Sequence, residues 1–160
     1  MDDAREARDP PVSLRPTRSE DLPTLFEYQR DPESNAMADF PARDREAFDA
    51  HWARLLADPT VVSRTILLGA EIAGSIGSWE QDGRRLIGYW IGRAYWGRGI
   101  ATRALAAFLD EVRERPLLAY VAKHNLGSIR VLEKCGFTRT REPLPAAEDG
   151  AEEYLFERIT

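Results

Sequence analysis

The 160-residue chain predicts a mixed α/β domain, and three observations carry that reading. Apolar residues recur at helical spacing in four separate stretches. Between Thr65 and Ile91 the pattern changes to short strand-like runs parted by glycine-containing turns. The resulting order, β-α-α-β-β-β-α-β-α-β-β, sets three strands in succession, which excludes a regularly alternating doubly wound sheet.

The elements follow in order. Val12 and Leu14 alternate with Ser13 and Arg15, a short strand ended by Pro16. Ser19 is the expected N-cap of a helix whose first turn is acidic, Glu20 and Asp21, and whose apolar side is Leu22, Leu25 and Phe26. Pro23 falls near its first turn, where a missing donor costs least. Residues 31–45, with Pro32, Asn35 and Pro41, read as loop. From Glu46 to Leu56 a second helix is marked by Phe48, Trp52, Leu55 and Leu56, and Asp58-Pro59 closes it.

Thr65–Leu68, Glu71–Trp79 and Arg85–Ile91 are three strands, separated by turns at Gly69-Ala70 and Gln81-Asp82-Gly83. The third is apolar on both faces, so it belongs at the centre of a sheet. Ala101, Ala104, Leu105, Phe108, Leu109 and Val112 lie on one side of a helix that ends before Pro116. Leu117–Ala122 is a buried strand. Ile129, Leu132 and Cys135 mark a short helix stopped by Gly136 in a left-handed conformation. Phe137–Arg141 and Tyr154–Ile159 are the final strands, joined by a Pro-, Ala- and Asp-rich loop.

Composition bounds the function. A hydrophobic fraction of 43% in a chain of this length is enough for one packed core. The expected organisation is a flexible leader over residues 1–11, ending at Pro10-Pro11, and a single domain over 12–160. No apolar run approaches the roughly 18 residues of a membrane span, and the first residues carry no signal-type segment, so a cytoplasmic setting is expected. One cysteine, Cys135, excludes an internal disulfide and a cysteine-based zinc cluster. With only His51 and His124 beside it, no metal cofactor is expected.

The net charge of -5 is unevenly spread. Residues 1–92 carry 11 basic and 17 acidic side chains, residues 93–141 carry 10 and 4, and residues 142–160 carry 1 and 6. The acidic total argues against nucleic acid as a partner, while the basic segment suits an anionic small molecule. Eight of the eleven glycines fall between Gly69 and Gly99. The last two, Gly97 and Gly99, stand where a central strand hands over to a helix, and such a junction exposes backbone N–H groups suited to a phosphate. The same glycines also serve a tight turn and close packing. A P-loop is excluded because neither glycine is followed by Lys-Ser/Thr at the required spacing. A dinucleotide fingerprint is excluded by Thr102 at its third small position and by Lys123 where an acid is needed.

Two motifs resemble a known family. Arg98-Gly99-Ile100-Ala101, within Trp96 to Thr102, is similar to the second half of the (Q/R)-x-x-G-x-(G/A) signature of the acetyl-CoA-dependent N-acetyltransferases of the GNAT superfamily. Asn125 to Phe137 resembles its following N-x-x-S-x-x-x-x-x-K-x-G-F segment. Gly88-Tyr89-Trp90-Ile91 before Tyr95-Trp96-Gly97 resembles the branch of ribosomal-protein N-terminal acetyltransferases. Trp96 takes the Gln/Arg position of the signature, Leu132 the position of a tyrosine that protonates the leaving thiolate in many members, and Leu86 a position often held by Glu in the branch.

The resemblance implies a GNAT-like fold whose splayed central sheet holds acetyl-CoA. It implies that the backbone of Trp90, Ile91 and Gly92 pairs with the pantetheine arm. The N–H groups of Gly97, Arg98, Gly99, Ile100, Ala101 and Thr102 would hold the pyrophosphate beside Trp96. Arg98 is either a direct phosphate partner or a solvated surface residue. Asn125 is both the natural cap of the short helix and a partner of the cofactor arm, and Arg130 joins the binding set. With Leu132 in the tyrosine position, Ser128 becomes the candidate donor to the CoA thiolate, the other reading being a favourable first-turn residue. Glu80 is the candidate base, acting through water, or else a solvated hairpin residue. Cys135 lies on the apolar stripe and reads as core, not nucleophile. His51 and His124 read as packed or motif-bordering residues, and Glu33, Asp39 and Asp44 are available to attract a cationic acceptor.

The expected activity is transfer of the acetyl group of acetyl-CoA to a primary amine, on a protein N-terminus or a small molecule, by direct attack in a ternary complex. The alternative is a non-catalytic acyl-CoA sensor that kept the loop and lost its base. Neither reading calls for a metal or a membrane, and a homodimer is compatible with both.

Overall fold

A computed structural model describes residues 10–140 and 152–160. Residues 1–9 of the expected leader and residues 141–151 of the Pro-, Ala- and Asp-rich stretch lie outside the described residues, while Pro11, the leader's last residue, accepts the Gly69 N–H at 2.9 Å. The strands are β1 (Val12–Pro16), β2 (Val62–Leu68), β3 (Glu71–Gln81), β4 (Arg84–Ile91), β5 (Leu117–Ala122), β6 (Thr138–Arg139) and β7 (Glu153–Arg158). The α-helices are α1 (Leu22–Gln29), α2 (Pro32–Ala38), α3 (Arg45–Ala57), α4 (Ile100–Glu111) and α5 (Leu126–Lys134). Short 3-10 turns at Ser19–Asp21 and Arg93–Tyr95 precede α1 and the α4 loop.

All strands join one seven-stranded sheet in the order β1-β2-β3-β4-β5-β7-β6, with β4 central as its two apolar faces require. Every pairing is antiparallel except β4 with β5. Leu117, Ala119 and Val121 of β5 face the main core with Ile100, Ala104, Leu105 and Phe108 of α4 and Leu132 of α5. Leu118, between them in sequence, faces the other way and packs with Leu86, Leu155 and Trp79. A third cluster, Leu22, Leu25, Phe48 and Trp52, holds α1 and α3 together against Ile72.

Two expectations are corrected. Ser19 does not cap α1; it opens the 3-10 turn, and Asp21 takes the capping work by accepting the Arg18 N–H at 2.9 Å. Asp21 is buried, and Arg15 grips it with two bonds of 2.7 and 2.8 Å while Thr65 donates at 2.8 Å. The stretch read as loop contains α2. Its Asp31 accepts the Ser34 N–H at 3.1 Å and Pro32 sits in the first turn, an N-terminal signature that outweighs the loop-forming residues around it.

Candidate active site

The parallel pair β4–β5 is in register only at Arg85–Leu117 and Leu86–Leu118. Beyond Leu86 the strands diverge, and β4 from Ile87 to Ile91 keeps partners on its β3 edge alone. On the other edge Ile91 O accepts the Trp96 indole N–H at 3.0 Å, and the remaining backbone groups are left to a ligand or to water. A cleft of about 430 Å³ opens there. It is walled by Tyr89, Trp90 and Ile91 of β4, by Trp96, Gly97 and Gly99 to Thr102, by Asn125, Gly127, Ser128, Arg130, Val131 and Lys134 on the β5–α5 side, and by Ser34, Met37 and Ala38 of α2.

The floor of the loop is built by glycine. Gly97 and Gly99 have φ of +73° and +72°, a left-handed backbone that disfavours any other L residue. A Cβ on either would meet no atom within 4 Å, so conformation and not packing demands glycine. Gly99 is the N-cap of α4, whose first N–H groups lack intrahelical acceptors and carry the positive end of the helix dipole. Arg103 turns the loop carbonyls away: its guanidinium donates to Arg98 O at 3.2 Å and Gly99 O at 3.4 Å.

The second motif is equally local in origin. Asn125 Oδ1 accepts the Ser128 N–H at 3.2 Å and opens α5. At the other end, Phe137 N–H returns to Leu132 O and Gly136 N–H to Glu133 O, with Gly136 at φ +88°, which stops the helix as expected. Arg130 and Lys134, one turn apart, set two cations on the cleft side of α5.

Of the residues singled out from sequence, Trp90, Ile91, Trp96, Gly97, Gly99, Ile100, Ala101, Thr102, Asn125, Ser128 and Arg130 all line the cleft. Gly92 does not. Its N–H is spent on Ala73 O at 2.8 Å, and its missing side chain admits the Tyr28 ring, 2.9 Å from where a Cβ would stand. Arg98 also lies off the wall, its guanidinium carbon 5.9 Å from the Tyr95 ring centroid. Glu80 is displaced further: it pairs with Arg85 at the closed end of the β3–β4 hairpin, four residues of β4 before Tyr89, or about 13 Å along the strand.

The acids expected to draw a cation are engaged locally. Glu33 pairs with Arg93 at 3.0 Å, Asp31 with the same guanidinium at 3.2 Å, and Asp44 caps α3 through the Ala47 N–H at 2.7 Å. Asp39 is the left-handed C-cap of α2. His51, on α3, has its pKa pulled down by burial and by Arg43 and Arg54, and is not on the cleft wall. His124 Nε2 lies 2.9 Å from Ala36 O, tying α2 to the β5–α5 turn. No described residue of the wall is Asp, Glu or His.

Tyr89 is a wall residue that sequence reasoning passed over. Its hydroxyl lies 2.6 Å from Ser128 Oγ and 3.3 Å from Ser128 O, and burial pushes its pKa up to about 12. Cys135 is buried, with its thiol pKa raised by burial and its Sγ 3.5 Å from Thr102 O. Among the described residues no group of three His, Cys, Asp or Glu side chains could hold a metal ion, and no helix is long and apolar enough to cross a membrane.

Comparison with known proteins places these features. Residues 12–138 match the acetyltransferase (GNAT) domain family. Over 55 residues the chain is 44% identical to a probable N-acetyltransferase, YjcK, of Bacillus subtilis, a stretch that is 32% of this chain and 30% of that protein. The fold matches a spermidine N-acetyltransferase from Vibrio cholerae solved with CoA and spermine, with a TM-score of 0.79 at 13% identity over 92% of this chain and 95% of that one. It also matches the aminoglycoside acetyltransferase AAC(6')-Ib in complex with coenzyme A, with a TM-score of 0.74 at 20% identity over 93% and 95%.

Proposed function

The chain belongs to the acetyltransferase (GNAT) family, and from that premise we propose that it transfers the acetyl group of acetyl-CoA to a primary amine by direct attack within a ternary complex. The observation that carries the proposal is the gap between β4 and β5, which ends on the left-handed Gly97–Gly99 loop at the start of α4. A thioester supplies an activated acetyl carbon; the chain's part is to bind, orient and stabilise charge. The N–H groups from Gly97 to Thr102 hold the pyrophosphate at the helix terminus, the free edge of β4 at Tyr89–Ile91 holds the pantetheine arm, and Asn125 borders it. Arg130 and Lys134 add local positive charge for a polyanion in an acidic protein.

Direct attack is favoured because the one cysteine, Cys135, is buried, off the cleft wall and with its thiol pKa raised by burial, and so is not placed to form an acyl-enzyme. Ser128 is the hydrogen-bond donor to the departing thiolate. A water, rather than Glu80, takes the amine proton, since the described wall carries no carboxylate. The Gly88–Ile91 sequence supports a place in the branch of ribosomal-protein N-terminal acetyltransferases, with a protein N-terminus or a small-molecule amine as acceptor in the cytoplasm.

The test is thiol release from acetyl-CoA in the presence of a panel of α-amino peptides, polyamines and aminoglycosides. Amine-dependent release supports the proposal. Tight acetyl-CoA binding with no release by any amine overturns it in favour of a non-catalytic sensor.

A further inference from the structure

We propose that Tyr89 is a positioning residue that sets the Ser128 hydroxyl hydrogen toward the departing CoA sulfur. The inference rests on the reading of Ser128 given above and adds a residue from a different element. Tyr89 and Ser128 are 39 positions apart, on β4 and α5, and meet across the cleft wall at 2.6 Å between hydroxyl oxygens. Geometry alone allows either hydroxyl to donate across the 2.6 Å contact; the single phenol hydrogen has two acceptors on Ser128, Oγ at 2.6 Å and the carbonyl oxygen at 3.3 Å, and we assign it to the nearer.

A phenol is the stronger acid of the two hydroxyls and hence the better donor, and burial keeps this one protonated across the neutral range. With the phenol donating to Oγ, the serine hydrogen is directed elsewhere. The Ser128 N–H is already held by Asn125 Oδ1, so the residue is fixed at its backbone and at its oxygen, and its hydroxyl hydrogen is its one remaining donor. Leu132, one turn further along α5, is buried and apolar and supplies no alternative hydroxyl.

In the step served, the amine nitrogen forms a bond to the acetyl carbon and the C–S bond breaks, its electron pair leaving on sulfur. The nitrogen loses one proton to water and the sulfur later gains one from water, so amine and thioester give amide and thiol. Ser128 stabilises the sulfur anion through a hydrogen bond and keeps its own proton. Tyr89 loses nothing; it selects the rotamer that makes that bond.

Tyr89→Phe removes one oxygen and keeps the ring. Expected is a fall in kcat of about tenfold, the scale of one hydrogen bond made only in the transition state, with acetyl-CoA affinity by calorimetry and the thermal midpoint unchanged. Ser128→Ala lowers kcat at least as much, and adding Tyr89→Phe to it produces no further loss, because the phenol acts through the serine. Wild-type kcat in Tyr89→Phe overturns the inference, as do losses that multiply in the double variant. Tyr89→Phe impaired while Ser128→Ala is normal overturns it too, and assigns the donor role to the phenol itself. A wild-type rate in Ser128→Ala alone removes the Ser128 reading, whereas a slow Ser128→Ala with a normal Tyr89→Phe leaves that reading standing and removes only the positioning role.

Discussion

Along its β3 edge, β4 is in register from Gln81–Arg84 to Gly74–Ile91, whereas along its β5 edge only Arg85 and Leu86 have partners. The same strand therefore consolidates the sheet on one side and opens a cleft on the other. The paired edge is drawn close by the absence of side chains: a Cβ on Gly74 would stand 2.0 Å from Trp90 O. The open edge is held at its root by Leu86, Leu118 and Leu155 with Trp79 and is free beyond them. A splayed pair leaves backbone hydrogen-bonding groups unspent, and they remain tolerable because they face a cleft and not a dry core.

The contrast is broken most strongly on its paired side. Gly74→Ala drives a methyl into the β4 backbone and is expected to cost about 3 kcal/mol of stability, read from the urea midpoint. Gly99→Val acts on the open side. Its Cβ meets nothing, but φ of +72° strains a β-branched residue by about 1–2 kcal/mol and the added bulk faces the loop floor. Acetyl-CoA affinity by calorimetry should fall about a hundredfold, some 2.7 kcal/mol, with a smaller loss of stability. Equal affinity in Gly99→Val and wild type would remove the loop from the binding site.

The paired half also carries the acid sensitivity. Burial opposes ionisation of Asp21, but the bonds from Arg15, the Arg18 N–H and Thr65 outweigh it and bring its pKa from 3.8 to about 2. A lowered folded-state pKa means stability that is full above pH 3.8 and is lost as pH falls toward 2, an amount of about 2 kcal/mol. Asp21→Asn should be less stable at neutral pH and should lose the steep acid limb between those values, as followed by unfolding at several pH values. The smallest effect is expected from Glu80→Gln, at the closed end of the hairpin: kcat should stay within about twofold of wild type. A hundredfold loss there would restore Glu80 as the base.

The strands, the long helix α4 and the two motifs that line the cleft were legible because local physics specifies them: apolar periodicity, left-handed glycines and an asparagine cap all act within a few residues. What escaped was set over long separations. α2 is seven residues long with no apolar stripe, and it is fixed by Arg93 and His124, which lie far along the chain. Gly92 was legible as a glycine but not as the seat of the Tyr28 ring. Tyr89 read as one more apolar strand residue, because nothing near it in sequence shows that its hydroxyl meets Ser128. Glu80 looked close to the chemistry because the strand containing it is close, yet it lies at that strand's other end.

Hydrogen exchange with and without acetyl-CoA tests the two edges of β4 in one experiment. Bound acetyl-CoA should slow exchange of the Tyr89 and Ile91 amides and of those from Gly97 to Thr102, and leave the paired amides of Trp90 and of Glu71–Gln81 unchanged. Saturating acetyl-CoA that protects neither the β4 edge nor the glycine loop would contradict the assignment of this cleft as its site.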